Sequence, residues 1–361
     1  ELYRKSAAQR HQPFDAEATF SMFEQSARRR VALGLILGKV IQQNNIRVDH
    51  SRVRELVEGI AQSYQQPEEA FKWYYAKPER LREVQHRVLE DQAVDLLQIA
   101  GTQAAIQALP RLRRHSRVTL AALTYNEYVH AWKRQGHAVQ AVPPREFDAR
   151  IAETDVLVVC NPNNPSGERI EPDRLREWHV RLAARDGWLI VDEAYIDLMP
   201  DASLAPFASR PGLIVLRSLG KFFGLAGARV GFVAADRALL HALRDELGPW
   251  SVAGPAQFAA IAALRDRDWQ AQTRAALIAS GRRLHALLAC AGIPAQGTAL
   301  FQWWRHEHAA ELHRALAQQA ILTRRIQDGD RGGVRIGLPR DEADWRRLEQ
   351  ALFLWKEMQC A

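Results

Sequence analysis

"LIVLRSLGKFFGLAGARVGFVAA", residues 213–235, reads as a strand, a loop and a second strand. Leu213 to Leu216 are apolar without a break, the pattern of a strand covered on both faces. The texture then changes. Gly220, Gly224 and Gly227 surround a single lysine, Lys221, which Phe222 and Phe223 follow, and Arg229 closes the run eight residues later. A lone cation in an apolar, glycine-rich loop thus stands at the carboxyl end of a buried strand, where open α/β sheets bind their ligands. Apolar neighbours would desolvate its amine and favour the neutral, nucleophilic form. Ser218, three residues before it, adds a hydroxyl, and Arg229 adds paired donors that match a phosphate.

Working outward, similar apolar runs recur from about residue 98: "RVTLAAL", "HAVQAVP", "DVLVVCNP" and "WLIVDEAY". They alternate with helical segments, which predicts buried parallel strands in an α/β layered sheet, with "RVGFVAA" as one more of them. The chain then turns helical and ends with the strand-like "ALFQWWR" and "GGVRIGL" around a helix, the pattern of a small α+β domain. Residues 1–97 read as helix throughout. "FEQSARRRVALGLILGKVIQQNNI" is one helical pattern, and "DHSRVRELVEGIAQSY" is a second, with Asp49 or Ser51 as its cap. A third starts at Pro67 and a fourth at Pro78. The expected division is an all-α segment over 1–97, an α/β large domain over 98–245, and a helical connection with a small α+β domain over 246–361.

Bulk properties narrow the function. The chain of 361 residues carries a net charge of +7, but its arginines are scattered rather than massed. That argues against a nucleic-acid partner and suits an anionic ligand. Cys160, Cys290 and Cys360 stand far apart and make neither a disulfide framework nor a metal pair, as expected of a reduced, cytoplasmic protein. No run of 18 apolar residues is present, so no membrane span is expected.

Three further motifs complete the chemistry. In "IAGTQAAIQALP", Gly101 and Thr102 sit where a strand gives way to a helix, whose free N–H groups suit phosphate. In "VVCNPNNPSG", a buried strand runs into Asn161, Asn163 and Asn164. In "WLIVDEAYID", Asp192 and Glu193 close an apolar strand, a costly place for a carboxylate without a partner, and Tyr195 follows. One cofactor uses all of these groups. Pyridoxal 5'-phosphate takes a lysine for its aldehyde (Lys221) and a cradle for its phosphate (Thr102, Ser218 and Arg229). Asp192 would keep its pyridine nitrogen protonated, Asn164 and Tyr195 would donate to its ring oxygen, and Tyr125 of "LTYNEY" would stack on the ring.

With these residues in place, the chain resembles the fold-type I pyridoxal phosphate enzymes of the class I/II aminotransferase family over about 98–361. Within that family, "LRSLGKFFGLAGARVGFVAA", "CNPNNPSG" and "LGPWSVAGPAQ" look most like the threonine-phosphate decarboxylases of cobalamin biosynthesis. The resemblance implies a homodimer that removes carbon dioxide from L-threonine O-3-phosphate, a small phosphorylated amino acid, to give aminopropanol phosphate. It implies that Arg335 of "VRIGLP" binds the substrate carboxylate and that Arg324 of "ILTRRI" meets a substrate anion. Histidinol-phosphate aminotransferases use the same residues for amino-group transfer and are the alternative.

Residues 1–97, from "FEQSARRRVALG" to "LEDQAVDLL", resemble the C-terminal helical domain of trigger factor, a ribosome-associated chaperone. That resemblance implies an unfolded polypeptide as partner. The two resemblances meet near Leu96 without a linker, the pattern of a chimera in which the enzyme's own N-terminal arm is replaced. A chaperone segment joined to an inactive enzyme domain is the further alternative.

Overall fold

The computed structural model describes residues 50–61, 67–77, 81, 82, 84, 85, 96–327 and 332–360. The expected first helix, Asp49 as a cap and Pro78 as a helix start lie outside these residues. The chain divides into two compact units, Glu1–Val94 and Asp95–Ala361.

In the first unit, helix α1 (His50–Ala61) places Val53 and Val57 on one face, four residues apart. They pack with Val84, Phe71, Tyr74 and Leu81. Helix α2 (Pro67–Tyr75) starts at the expected proline. Pro67 gives up an N–H that a first turn cannot use, and Glu68 and Glu69 lie where the helix dipole favours negative charge.

The second unit holds a seven-stranded sheet. Its strands are β1 (Leu96–Ile99), β2 (Arg117–Ala121), β3 (Ala138–Val142), β4 (Val156–Cys160), β5 (Trp188–Asp192), β6 (Leu213–Ser218) and β7 (Gly231–Ala234), in the order β1-β7-β6-β5-β4-β2-β3. β2 to β6 pair in parallel; helix α3 (Thr102–Ala108) leads into β2, and α4 (Glu127–Arg134), α5 (Pro172–Ala183) and short helical turns lie between the later strands. Strand alternation splits the core between the two faces. Ile190, Ile214 and Leu216 join Ile106 and Trp132 on one side, while Leu189, Val191 and Val215 join Phe147 and Trp178 on the other.

Three expectations need correcting. The sheet is mixed, because β7 runs antiparallel to β6 and β1 antiparallel to β7. Residues 219–230 form no crossover helix. They loop back so that the Leu219 N–H meets the Val230 carbonyl at 3.3 Å, and a chain that returns on itself pairs antiparallel. Helix does not extend through residue 97 either, since Leu96 and Leu97 belong to β1 and face Ala234 and Val233. A strand of four residues is too short to show its period in sequence. Finally β3, at the sheet edge, leaves Ala138 and Ala141 exposed rather than buried.

After β7 come helices α6 (Arg237–Leu247), α7 (Gly254–Arg265) and the long α8 (Arg267–Cys290). A second sheet follows, antiparallel in the order β10-β11-β9-β8, from β8 (Gln296–Thr298), β9 (Phe301–Arg305), β10 (Arg324–Ile326) and β11 (Gly333–Gly337). Helices α9 (Ala309–Gln318) and α10 (Glu342–Cys360) cover it, and Leu284, Leu288, Trp304, Leu312, Val334, Trp345 and Trp355 share its core. Among the described residues, no helix is long and apolar enough to cross a membrane.

Candidate active site

Parallel strands in register deliver their carboxyl ends to one edge. Cys160 faces Asp192 across β4 and β5, and Asp192 faces Leu216 across β5 and β6. The cavity at that edge is lined by Gly101, Thr102, Tyr125, Asn164, Asp192, Tyr195, Ser218, Lys221 and Arg229, which are all the residues expected from the sequence to surround a cofactor. Segments up to 128 residues apart in the chain thus meet at one point.

Asp192 is buried. Its Oδ2 accepts from the Tyr128 hydroxyl at 2.8 Å, and its Oδ1 accepts from the Ala194 N–H at 3.0 Å. Burial pushes its carboxyl pKa up, while those two donors and the Lys221 charge pull it back. A cation brought against it would hold it ionised. Lys221 is exposed as a whole residue, yet the cavity walls desolvate its amine and draw it below the ordinary lysine value. The charges of Arg335 and Arg229 act in the same direction and Asp192 opposes them. Lys221 Nζ lies 5.8 Å from the centre of the Tyr195 ring. Burial raises the Tyr195 phenol, with Arg335 pulling the other way.

Arg229, also on the cavity wall, adopts a left-handed φ of 52°. Gly101 has φ 75°, and a Cβ there would come within 2.9 Å of Arg229 Nη2. A side chain at Gly231 would meet the Thr102 nitrogen at 2.9 Å. Only glycine lets these segments close into a cradle. Ser218 Oγ accepts from the Gly220 N–H at 3.1 Å, so its O–H is the part offered to a ligand.

The asparagines of "CNPNNPSG" divide their work. Asn161 exchanges hydrogen bonds with the backbone of Ile170, both at 2.9 Å. Asn163 donates to the Leu123 carbonyl and the Ser166 hydroxyl, and accepts from Thr124. These two shape the loop, and Asn164 faces the cavity. Its Oδ1 accepts from Arg335 Nη1. The Arg335 guanidinium also lies 5.1 Å from the centre of the Phe301 ring, whose edge meets Tyr195.

Arg335 and Arg324 are direct partners across β11 and β10. Both line hollows that also touch Lys221 and Tyr195. Like charges directly opposite on paired strands repel. A dianionic ligand, or one with two anionic groups, relieves that repulsion.

Three residues of this site had not been singled out in the sequence. Tyr128 anchors Asp192, Phe301 backs both Arg335 and Tyr195, and Gln103 receives the Tyr125 hydroxyl at 3.4 Å while donating to Glu127 at 2.8 Å. Tyr128 lies three residues after Tyr125 in "LTYNEY", in the first turn of α4, and a second tyrosine so close to the expected stacking residue was the available signal. Among the described residues no group of His, Cys, Asp or Glu is placed to hold a metal ion. The donor set instead fits a flat aromatic aldehyde with a phosphate at one end: an amine to condense with, a buried carboxylate for a ring nitrogen, and a cradle of hydroxyl, backbone and guanidinium groups.

Comparison with known proteins agrees with that chemistry. The family "Aminotransferase class I and II" matches residues 50–352. Its match begins within residues 1–97, the segment expected from the sequence to be separate from the enzyme. The threonine-phosphate decarboxylase of Pseudomonas aeruginosa is 51% identical over 263 residues, which are 73% of this chain and 79% of that one. Among solved structures, the L-threonine-O-3-phosphate decarboxylase of Porphyromonas gingivalis superposes with a TM-score of 0.62 at 21% identity, over 73% of this chain and 83% of that one. The histidinol-phosphate aminotransferase of Sinorhizobium meliloti, solved in complex with pyridoxal-5'-phosphate, superposes with a TM-score of 0.64 at 19% identity, over 91% and 88%.

Proposed function

The chain belongs to the class I and II aminotransferases, and from that premise we propose that it binds pyridoxal 5'-phosphate and decarboxylates L-threonine O-3-phosphate to aminopropanol phosphate in cobalamin biosynthesis. The observation that carries the substrate is the pairing of Arg324 with Arg335 beside Lys221. Threonine phosphate offers one anion for each guanidinium. The half-identity to a threonine-phosphate decarboxylase supports the same choice.

Bound, the cofactor supplies an electron sink for the pair left behind by carbon dioxide. The protein does the rest. Lys221 would hold the cofactor's aldehyde through its amine, and would be the group to hand a proton to the substrate α-carbon in place of the lost carboxylate. Asp192, fixed by Tyr128 and Ala194, keeps the ring nitrogen protonated. Asn164 and Tyr195 would donate to the ring oxygen, and Tyr125 would lie against the ring. Thr102, Ser218 and Arg229 would hold the phosphate in the cradle that Gly101 keeps open. Arg335 takes the substrate carboxylate and Arg324 its phosphate.

Adding pyridoxal phosphate to purified apoprotein tests this reading. Wild type should gain a visible absorbance band that Lys221→Ala lacks, and should release carbon dioxide from threonine phosphate. Amino transfer from histidinol phosphate to a 2-oxo acid, with no carbon dioxide from threonine phosphate, would favour the aminotransferase alternative.

The same reading makes the protein a cytoplasmic homodimer. Phe258 and Ile261, three residues apart on α7 at 76% and 48% exposure, and Trp250 before it at 95%, are exposed apolar surface of the kind a second copy covers. Light scattering at micromolar concentration checks it, and a monomer that binds the cofactor fully would count against it. For residues 1–97 we keep the chaperone-like assignment, with an unfolded polypeptide as partner. Exposed Trp73 and Tyr75 on α2 support it. The segment should suppress aggregation of a denatured test protein, and failure to do so removes the assignment.

A further inference from the structure

Asp192 and Ser218 face the cavity. Their sequence neighbours Glu193 and Arg217 therefore point to the other side of the sheet, as strand alternation requires. Glu193 is fully buried. Its Oε1 accepts from the Leu204 N–H at 2.7 Å, and its Oε2 accepts from the Ser203 hydroxyl. Arg217 Nη1 lies 3.7 Å from Glu193 Oε2 and donates to Ser203 Oγ at 3.2 Å, while Nη2 donates to Asp197 Oδ1. The Asp197 carbonyl accepts from Arg274 Nε of α8 at 2.9 Å. The Arg274 guanidinium in turn lies 5.6 Å from the centre of the ring of Phe222, the residue after Lys221. A chain of charge thus runs behind the cavity from the neighbour of Asp192 to the neighbour of Lys221.

Stability is a poor account of this cluster. Two buried carboxylates share one guanidinium directly, and Asp197 Oδ2 is buried without a hydrogen-bond partner. Burying such charge is costly, and well-packed apolar residues commonly do as well or better. Geometry is what the cluster supplies, because each charged contact ties the end of β5 to the end of β6 or to α8.

We propose that Glu193, Arg217 and Asp197, extended by Arg274, are positioning residues that hold the ends of β5 and β6 so that Lys221 and Asp192 keep their places in the wall of one cavity. The consequence for cofactor binding rests on the pyridoxal phosphate reading. The effect on Lys221 itself does not, and can be read in the apoprotein.

The test compares wild type with Arg217→Met, Arg217→Lys and Arg274→Gln. The first readout is the pH midpoint of Lys221 acylation by acetic anhydride in apoprotein, followed by mass spectrometry of the Lys221 peptide. Asp192, Arg229, Arg335 and Tyr195 face this amine and are unchanged in every variant. Loosening the frame relaxes the walls that desolvate the Lys221 amine, so in Arg217→Met the midpoint should rise by about half a pH unit or more. Arg217→Lys, which keeps the charge, should restore most of it. The second readout is the dissociation constant of pyridoxal phosphate, which should weaken about tenfold in Arg217→Met. A lowered melting temperature with an unchanged midpoint overturns the proposal, because it makes the cluster merely structural. An unchanged midpoint with an unchanged melting temperature overturns it too. If Arg217→Met does not fold, Arg274→Gln leaves the Arg217 pairs intact and is judged by the same midpoint. If wild type takes up no pyridoxal phosphate, the cofactor reading fails and the midpoint still decides this one.

Discussion

Arg335 Nη1 donates to Asn164 Oδ1, joining the second sheet to the loop that follows β4. An anion drawn to Arg335 competes for the same guanidinium that holds Asn164. Substrate arrival and the orientation of a cofactor-facing amide are coupled through one hydrogen bond. Asn164→Ala should therefore weaken both cofactor and substrate, while Arg335→Leu should leave the cofactor band and lower kcat/KM about 100-fold through lost charge-assisted hydrogen bonds. Steady-state kinetics with threonine phosphate, beside a cofactor titration, separates the two.

Lys221 should cost the apoprotein stability at neutral pH. Its folded-state amine is lowered by burial and by Arg335 and Arg229. Below that lowered value both folded and unfolded states are protonated, and the burial cost is borne in full. Between it and the ordinary value, about 10.4, folding releases a proton and stability rises with pH. Apo Lys221→Met should melt higher than wild type at pH 7, with the gap closing toward pH 10. Calorimetry on both apoproteins measures this, and a gap independent of pH would refute the assignment of the cost to charge.

Tyr128→Phe removes one of two hydrogen bonds to the buried Asp192 carboxylate and touches nothing else in the site. The Asp192 carboxyl, already raised by burial, should rise further. A charged hydrogen bond contributes about 1.5–3 kcal/mol, so cofactor affinity should fall about tenfold or more. Equilibrium dialysis gives the value, and unchanged affinity would mean that Asp192 is fixed by other means.

Gly101→Ala combines a left-handed backbone with a Cβ 2.9 Å from Arg229 Nη2. Strain of this kind costs about 1–3 kcal/mol. The variant should lose that much stability in urea and should bind phosphate-bearing ligands less tightly, because Arg229 must move. Gly224→Ala is the control. It shares a positive φ but has open space at the Cβ position, so it should lose stability without losing the ligand.

The lysine loop was legible because a cation among glycines after an apolar strand has few bland explanations. Asp192 was legible because an acid ending such a strand needs a partner. The partner itself, Tyr128, was not, since a tyrosine on an amphipathic helix looks like core. The strand before Gly101 was expected, but the start of β1 fell in the segment read as helix, and β10 escaped notice for want of length, with three residues. The direction of β7 depended on how residues 219–230 fold back, which a string of small residues does not reveal. Glu193 stood in plain view beside Asp192, yet its partner Arg217 sat inside "LIVLRS" and its role emerged only when β5 and β6 were laid side by side.

Two guanidinia facing each other across β10 and β11 will collect whatever oxyanion the surrounding medium provides. Buffer choice therefore decides what a laboratory sees. Phosphate or sulfate in a purification or an assay would settle between Arg324 and Arg335, mask the substrate's entry and understate its affinity, whereas an amine or zwitterionic buffer at low salt would leave the pair open.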